Sequence, residues 1–441
     1  MDFLVPDSPR PRNGPVVNRA LRDNLASLRY ASGMTDARFA AALSIRHDGT
    51  LAMREAADAL LDGLGGRSPD LLVIFLSNRH NSEYEQVAQR LGSLTRARVL
   101  IGCCAESVIG GGREVERSPA LSLWGVACEG LALHPFRVQA HANEEWEAEL
   151  AGGEQIAYSG HPEFGSLEPG PSDSLLLFGD PYSFPMSDYL EKLHRESPGL
   201  LATGGMASGG QAPGESALFL GGKHLNSGAV GVRLQGGIEL TNVISQAYRP
   251  VGTPWVITDC KGSLVTRLGG KSASKVMMET IAELSPKERT LLQSGPMLGV
   301  AWDATQGDFD ASDFLAHPIR GFAPQEQAIV IVGEVRRGQT VQFMIRDPRT
   351  AGTDLDKRLE RHAGPSISGP GHSGALLFTC NARGSRMFNE PDHDVKRVER
   401  HLGDGVPIAG FFAQGEIGHI GDRCQLHGFT ASTAIYRASQ S

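Results

Sequence analysis

Three stretches of the chain repeat one alternation of apolar and polar positions. Each opens with a continuous apolar run, passes through a segment with apolar residues at helical spacing, and returns to a second apolar run that ends among glycines. The first unit is strand Leu71–Ser77, helix Glu83–Leu94 and strand Val99–Cys103, before Gly110, Gly111 and Gly112. The second is Leu175–Gly179, Ser187–Glu196 and Leu200–Gly205, before Gly209 and Gly210. The third is Ala375–Cys380, His393–Leu402 and Pro407–Phe412, before Gly415, Gly418 and Gly421. A further strand is predicted after each glycine stretch, at Ala120–Val126, Ser216–Leu220 and Thr430–Tyr436. Units built alike tend to pack alike, so their glycine-edged strand ends can face a shared cleft.

Around the units the pattern predicts an edge strand at Phe39–Ile45 and an amphipathic helix carrying Met53, Ala56, Ala57, Leu60, Leu61 and Leu64, ended by Gly65 and Gly66. Leu131–Val138 closes the first unit and Ala229–Leu234 the second. The polar region His141–Asp173 reads as a long connection with an acidic surface helix at Glu144–Glu149. Trp255–Asp259 and Ser263–Arg267 form a hairpin around Cys260-Lys261-Gly262, and Ala328–Val335 and Gln339–Arg346 a second one around Arg336-Arg337-Gly338. Lys275–Leu284 and Thr353–His362 are predicted helices. The fold class is therefore α/β (α+β mixed): β-α-β-β units in mixed, largely antiparallel sheets flanked by helices, in two similar domains. The first domain is expected over residues 35–254, with a boundary near Pro250–Pro254, and the second over 255–441. Residues 1–34, with Pro6, Pro9, Pro11, Pro15 and no signal-peptide apolar segment, read as a disordered tail or an extension upstream of a true start at Met34.

Composition excludes several classes. Lys and Arg total 42 against 50 Asp and Glu, and a net charge of -8 argues against nucleic acid as a partner. No apolar run reaches spanning length, so no membrane insertion is expected. Six cysteines in 441 residues are too few for a disulfide scaffold, and the chain reads as cytoplasmic with reduced thiols. Gly369–Gly374 matches G-x-G-x-x-G but precedes a strand instead of following one, which removes the nucleotide reading. Gly270-Lys271-Ser272 lacks the upstream glycine of a phosphate-binding loop. Cys424 with His427, and Asp392-His393-Asp394, lack paired metal-site spacing. In the plainer reading Asp392 or Asp394 caps the third unit's helix and leaves His393 solvated.

Candidate chemistry concentrates near the C-terminus. Cys380, Asn381, Arg383 and Gly384 follow an apolar strand, and a guanidinium three residues from a thiol favours thiolate. Gly410, Gln414, Gly415 and Glu416 follow the next strand, glycines there letting backbone N–H groups turn toward a ligand, and His427 opens the last strand. The runs GALLFTCNARG, PDHDV, VPIAGFFAQGEIG and LHGFTAS resemble the C-terminal domain of the FIST family, as does GQTVQFMIRD. PDLLVIFLS, VLIGCCAESVIGGG and LLATGGMASGG resemble its N-terminal domain, so the resemblance spans roughly residues 39 to 436. It implies a sensory protein for a small ligand, an amino acid or related metabolite, signalling through a protein partner because no output module is fused to it. No cofactor and no metal is implied. Carried over by motif, the ligand site takes in Cys380, Asn381, Arg383, Gly384, Gly410, Gln414, Gly415, Glu416 and His427, joined by Arg346 and Asp347 from the hairpin and by Gly102, Cys103, Gly204 and Gly205 from the N-terminal strand ends. Arg383 or Arg346 would fork a carboxylate and Glu416 or Asp347 would pair an ammonium.

Two other functions compete with the sensor. One is a cysteine enzyme with Cys380 as nucleophile, His427 as base and Glu416 as the orienting carboxylate. The other is an interaction module that grips a peptide between the domains.

Overall fold

The computed structural model describes residues 35–142, 156–161, 170, 173–293, 295–301, 309, 313–362, 372–421 and 423–439. The expected N-terminal tail, the start at Met34 and the acidic helix at 144–149 lie outside the described residues.

Each unit supplies a parallel pair of strands joined by its helix. Leu71–Ser77 pairs with Val99–Ala105, Ser174–Gly179 with Leu201–Met206, and Ser373–Cys380 with Ile408–Ala413. Nearly every residue of these strands is buried, the pattern of a parallel sheet covered on both faces. The helices Tyr84–Thr95, Met186–Glu196 and His393–Leu402 follow the expected spans within a residue or two. An antiparallel strand flanks the first member of each pair: Leu121–Cys128, Ala229–Gln235 and Thr430–Ala438. In the second unit this role falls to Ala229–Gln235 and not to the expected Ser216–Leu220, whose strand is shorter and lies elsewhere.

That displaced strand reveals how the units are joined. The glycine stretch after each parallel pair becomes a β-hairpin that leaves its own unit and adds to the free edge of a neighbour. The hairpin Leu218–Leu220 with Lys223–Leu225 extends Val99–Ala105 of the first unit. Glu416–Ile420 with Arg423–His427 extends Leu201–Met206 of the second. Val108–Gly110 with Arg113–Val115 extends Ile408–Ala413 of the third. The exchange is cyclic, so three sheets close into one ring whose edges cover one another. Phe75, Phe178 and Phe378 occupy equivalent strand positions and meet at its centre, with ring centroids 5.6, 6.2 and 6.0 Å apart. Phe411 stacks on Phe75 at 5.0 Å. Edge-to-face contacts of this kind add about 0.5–1.5 kcal/mol per pair beyond burial.

Ala37–Ser44 is the edge strand of the first sheet, and the amphipathic helix Gly49–Gly63 starts at Asp48, whose carboxylate accepts from the Leu51 N–H at 2.9 Å. The third unit's helix is capped differently from expectation. Its first N–H groups, those of Asp394 and Val395, donate to Glu114 of the first unit's hairpin at 2.9 and 3.0 Å. Asp392, held at φ +60°, accepts instead from the Glu114 N–H at 2.7 Å. His393 is buried and stacked on Phe388, not solvated.

Between the second and third units the chain forms a barrel. Its strand order is Tyr248–Lys261, Thr340–Arg346, Met297–Ala301, Phe314–Ala323, Ala328–Ile331 and Leu264–Leu268, closing back onto Tyr248–Lys261. The first strand serves two partners because it bends: its register shifts between Val251 and Trp255, so its first half pairs with Thr340–Arg346 and its second half with Leu264–Leu268. Pro250 and Pro254 lie within this strand. The hairpin around Lys261-Gly262 forms as expected. The one expected between Ala328–Val335 and Gln339–Arg346 does not, because Ala328–Ile331 pairs with Phe314–Ala323 and Leu264–Leu268. Closing the barrel takes partners distant in sequence, and local pattern does not encode them. Ile257, Val265, Leu298, Ile329, Val341 and Phe343 form its core with Val276 and Met277 of helix Ala273–Glu283. The whole is a mixed α/β fold, largely antiparallel, with helices on the outer faces of its sheets.

Candidate functional site

All six strands of the three parallel pairs end on the same side of the ring, and residues one to three beyond each end line a recess of about 310 Å³. Asn78 and Arg79 follow Leu71–Ser77, Tyr182 follows Ser174–Gly179, and Asn381 follows Ser373–Cys380. Glu106, Ser208 and Gln414 occupy the equivalent place after the second strands. Gly210 and Gln211 complete the wall. Ligands of open α/β sheets bind outside the carboxyl ends of strands because the backbone there is free to diverge, and the ring brings six such ends together.

The recess is polar. Asn78 donates through Nδ2 to the Gly209 carbonyl at 3.1 Å. Its Oδ1, and Oδ1 of Asn381, are buried and accept no hydrogen bond among the described residues. Ser208 bridges units, accepting from the Glu106 N–H at 3.0 Å and donating to the Phe412 carbonyl at 2.5 Å. Arg386, on the short helix Ser385–Phe388, forks onto Glu106 at 2.8 and 3.2 Å and donates to the Asn381 carbonyl at 3.0 Å. Arg79 is exposed at the rim and makes no ion pair among the described residues.

Of the residues expected to bind ligand, the recess gathers only Asn381 and Gln414. Gly102, Gly204 and Gly410 are equivalent positions in the three parallel pairs. A Cβ on any of them would stand 1.8–1.9 Å from the carbonyl oxygen of Ile74, Leu177 or Leu377, so these glycines permit strand approach and do not cradle a ligand. Cys103 and Gly205, one residue on, are enclosed in the central core. Burial pushes the Cys103 thiol well above its usual range, and a Cβ on Gly205 would meet the Gly415 carbonyl at 2.9 Å. Gly415 turns the chain into the exported hairpin at φ +150°. Gly384, at φ +61°, packs where a Cβ would strike the Phe412 ring.

Arg383 is not available to a carboxylate. It is fully buried and forks onto Asp394 at 2.7 and 2.8 Å, with a third bond to the Phe429 carbonyl at 3.3 Å. Its charge is spent on Asp394, so the thiolate expected at Cys380 does not form. Burial and then the Glu416 carboxyl push that thiol up to about 12. Asp347 starts helix Pro348–His362, accepting from the Arg349 N–H at 3.1 Å and facing Arg249 at 3.6 Å. His427 is buried beside Glu416 in the hairpin register, and its Nε2 contacts the Gly418 carbonyl at 3.0 Å. Desolvation lowers its pKa to about 4, so the ring is neutral, and among the described residues it makes no hydrogen bond to Cys380.

Cys380 lies within electrostatic reach of both Glu416 and Arg346, apart from the recess. Glu416 is fully buried. Its Oε2 accepts from the Thr430 hydroxyl at 2.7 Å and the Thr430 N–H at 3.1 Å, and the Cys380 thiol lies beside the same carboxyl. Burial raises its pKa to about 8. Arg346 lies on the Phe429 ring, 3.3 Å from the centroid, with Tyr248 beside it.

The recess residues Asn78, Arg79, Glu106, Tyr182 and Ser208 went unnoticed in the sequence. The signal for two of them, Glu106 and Ser208, was the repeat itself. Aligned on Phe75, Phe178 and Phe378, the three units place a polar residue just past each second strand.

Three like-built units thus close a ring with one recess at their strand ends. The FIST N domain model matches residues 70–271 and the FIST C domain model residues 273–419. The chain belongs to the FIST family, whose domains are sensory domains. It is 37% identical over 390 residues to an uncharacterized protein of Mycobacterium bovis, covering 88% of this chain and 96% of that one. It is 36% identical over 402 residues to an uncharacterized protein of Mycobacterium tuberculosis, covering 90% and 99%. No helix among the described residues is long and apolar enough to cross a membrane.

Proposed function

We propose that this chain is a non-catalytic sensor that binds an amino acid or a related zwitterionic metabolite in the recess at the six strand ends, and signals through a protein partner. The observation that carries the reading is the pair of amide oxygens, Oδ1 of Asn78 and Oδ1 of Asn381, buried in the recess wall without a donor among the described residues. A buried acceptor left unsatisfied costs about 1–3 kcal/mol, so each favours a ligand that brings N–H groups. An ammonium placed between them also lies near Glu106, and Arg79 at the rim supplies a guanidinium for the carboxylate. The volume is at the small end for ligand sites, in keeping with a metabolite.

The neutral His427, spent on a backbone carbonyl, and the protonated Cys380 favour this reading over the cysteine enzyme. A thermal-shift screen of the standard amino acids and close metabolites tests it. A saturating ligand at a hundred times its Kd adds about 2.7 kcal/mol of stability. The shift should vanish in Asn381→Ala and weaken in Arg79→Ala. A flat screen, or a shift that survives both substitutions, refutes the assignment.

A further inference from the structure

The three units reach the recess from matched positions but bring different chemistry to it. Phe75, Phe178 and Phe378 pair across the parallel ladders with Cys103, Gly205 and Phe411. Counting on equally from Cys103, Gly205 and Phe411 reaches Glu106, Ser208 and Gln414, and counting on from the first set reaches Arg79, Tyr182 and Ala382. At these places the first unit lines the recess with a guanidinium and a carboxylate, the second with a phenol and a hydroxyl, and the third with the Gln414 carboxamide. Among the described lining residues, both charged ones belong to the first unit. Arg386 of the third unit lies close by, but it is spent on Glu106 and the Asn381 carbonyl. The recess is polarised, charged on the first unit's side and uncharged on the other two.

The uncharged part offers amides and one aromatic ring. Gln211 and Gln414 are exposed, and neither side chain makes a hydrogen bond among the described residues. The Ser208 hydroxyl, by contrast, is committed at both ends, to the Glu106 N–H and the Phe412 carbonyl. Tyr182 is 37% exposed, and its hydroxyl reaches the carbonyl of Gly210, next to Gln211, at 3.4 Å. A tyrosine left this open in a concave wall gives a ligand a flat contact at low entropic cost. A carboxamide head carries two donors and an acceptor without formal charge, so it matches another carboxamide donor to acceptor. A second carboxylate or ammonium brought to the same place would lose water and meet no counter-charge.

Resting on the amino-acid reading of the recess, we infer that its ligand carries an uncharged carboxamide side chain, that of glutamine or asparagine, held by Gln211 and Gln414 against the Tyr182 ring. The zwitterionic end, common to all amino acids, takes Arg79, Glu106 and the two asparagine oxygens. The side chain then extends toward the second and third units, where only uncharged groups line the wall. Tyr182, Gln211 and Gln414 are the specificity-determining residues, and they select by charge as well as by fit.

Isothermal titration calorimetry of the full chain with L-glutamine against L-glutamate, and L-asparagine against L-aspartate, is the test, because each pair changes charge at nearly constant shape. One of the amides should bind about tenfold or more tighter than its acid, and tighter than L-leucine or L-lysine. Gln414→Lys sets a cation in the uncharged wall and should move the ratio of Kd values toward the acid by about tenfold, a gain that no folding defect produces. Tyr182→Ala should weaken the amide about two- to tenfold, the worth of an aromatic contact, and Tyr182→Phe should not. If no standard amino acid binds the wild type, the amino-acid reading falls and this assignment with it. Binding that Asn381→Ala abolishes keeps that reading. The side-chain assignment alone is then overturned if the acid equals the amide, if a side chain without an amide binds tighter, or if either Gln414→Lys or Tyr182→Ala leaves binding unchanged.

Discussion

At position 416 the third unit buries a carboxyl, and the burial sets a pH dependence. Burial holds the Glu416 pKa at about 8 against an ordinary 4.5, so the folded chain keeps a proton that the unfolded chain has released. Between those values the folded state binds the extra proton, and this group's contribution to stability falls as pH rises. Glu416→Gln should remove that decline, so the gap in melting temperature between variant and wild type should widen in the variant's favour from pH 5 to pH 8. His427 works in the opposite sense. Its pKa of about 4 lies below the usual 6.5, so the stability it contributes is complete above pH 6.5 and is lost as pH falls toward 4. Cys380 lies beside Glu416. A buried thiol held near 12 should resist iodoacetamide at pH 7.5 in the native chain and react on unfolding, which mass spectrometry of the labelled peptide would show. Arg383→Met should cost about 3–5 kcal/mol in chemical denaturation, since it strands Asp394 in the interior.

Elements are matched to one another by close approach and exchange. Gly204 sits at φ +137° with the Leu177 carbonyl where a methyl would be. Gly204→Ala should therefore lose about 1–3 kcal/mol or more, with equilibrium unfolding as the measure. The strand and helix spans of the three parallel pairs were legible beforehand, because full burial on both faces demands an unbroken apolar run and an outer helix demands a 3.6 period. The destination of the hairpins was not. A short Gly-bounded strand looks the same whether it folds back on its own unit or crosses to the next, as Leu218–Leu220 shows. The cap of helix His393–Leu402 was hidden for the same reason: Glu114 lies 280 residues away from the N–H it accepts.

Across the whole molecule the cyclic exchange makes three units into one body. Removing one of the central rings should then be felt by all: Phe178→Ala is expected to cost about 3–5 kcal/mol, and circular dichroism and amide exchange should report that loss in strands of every unit, not only the second. The sequence alone determined the repeat, its helices and strands, the acidic charge balance of the chain and its family, since each rests on residue type and local period. Tertiary structure decided which polar groups meet. Asn381 and Gln414 joined Asn78, Glu106 and Ser208 in one recess, while Cys380 and Glu416, one and two residues away from them, turned toward the barrel. The physical reason is the pleat and the turn: neighbours along a strand point to opposite faces, so adjacency in the chain separates side chains that only packing can reunite with distant partners.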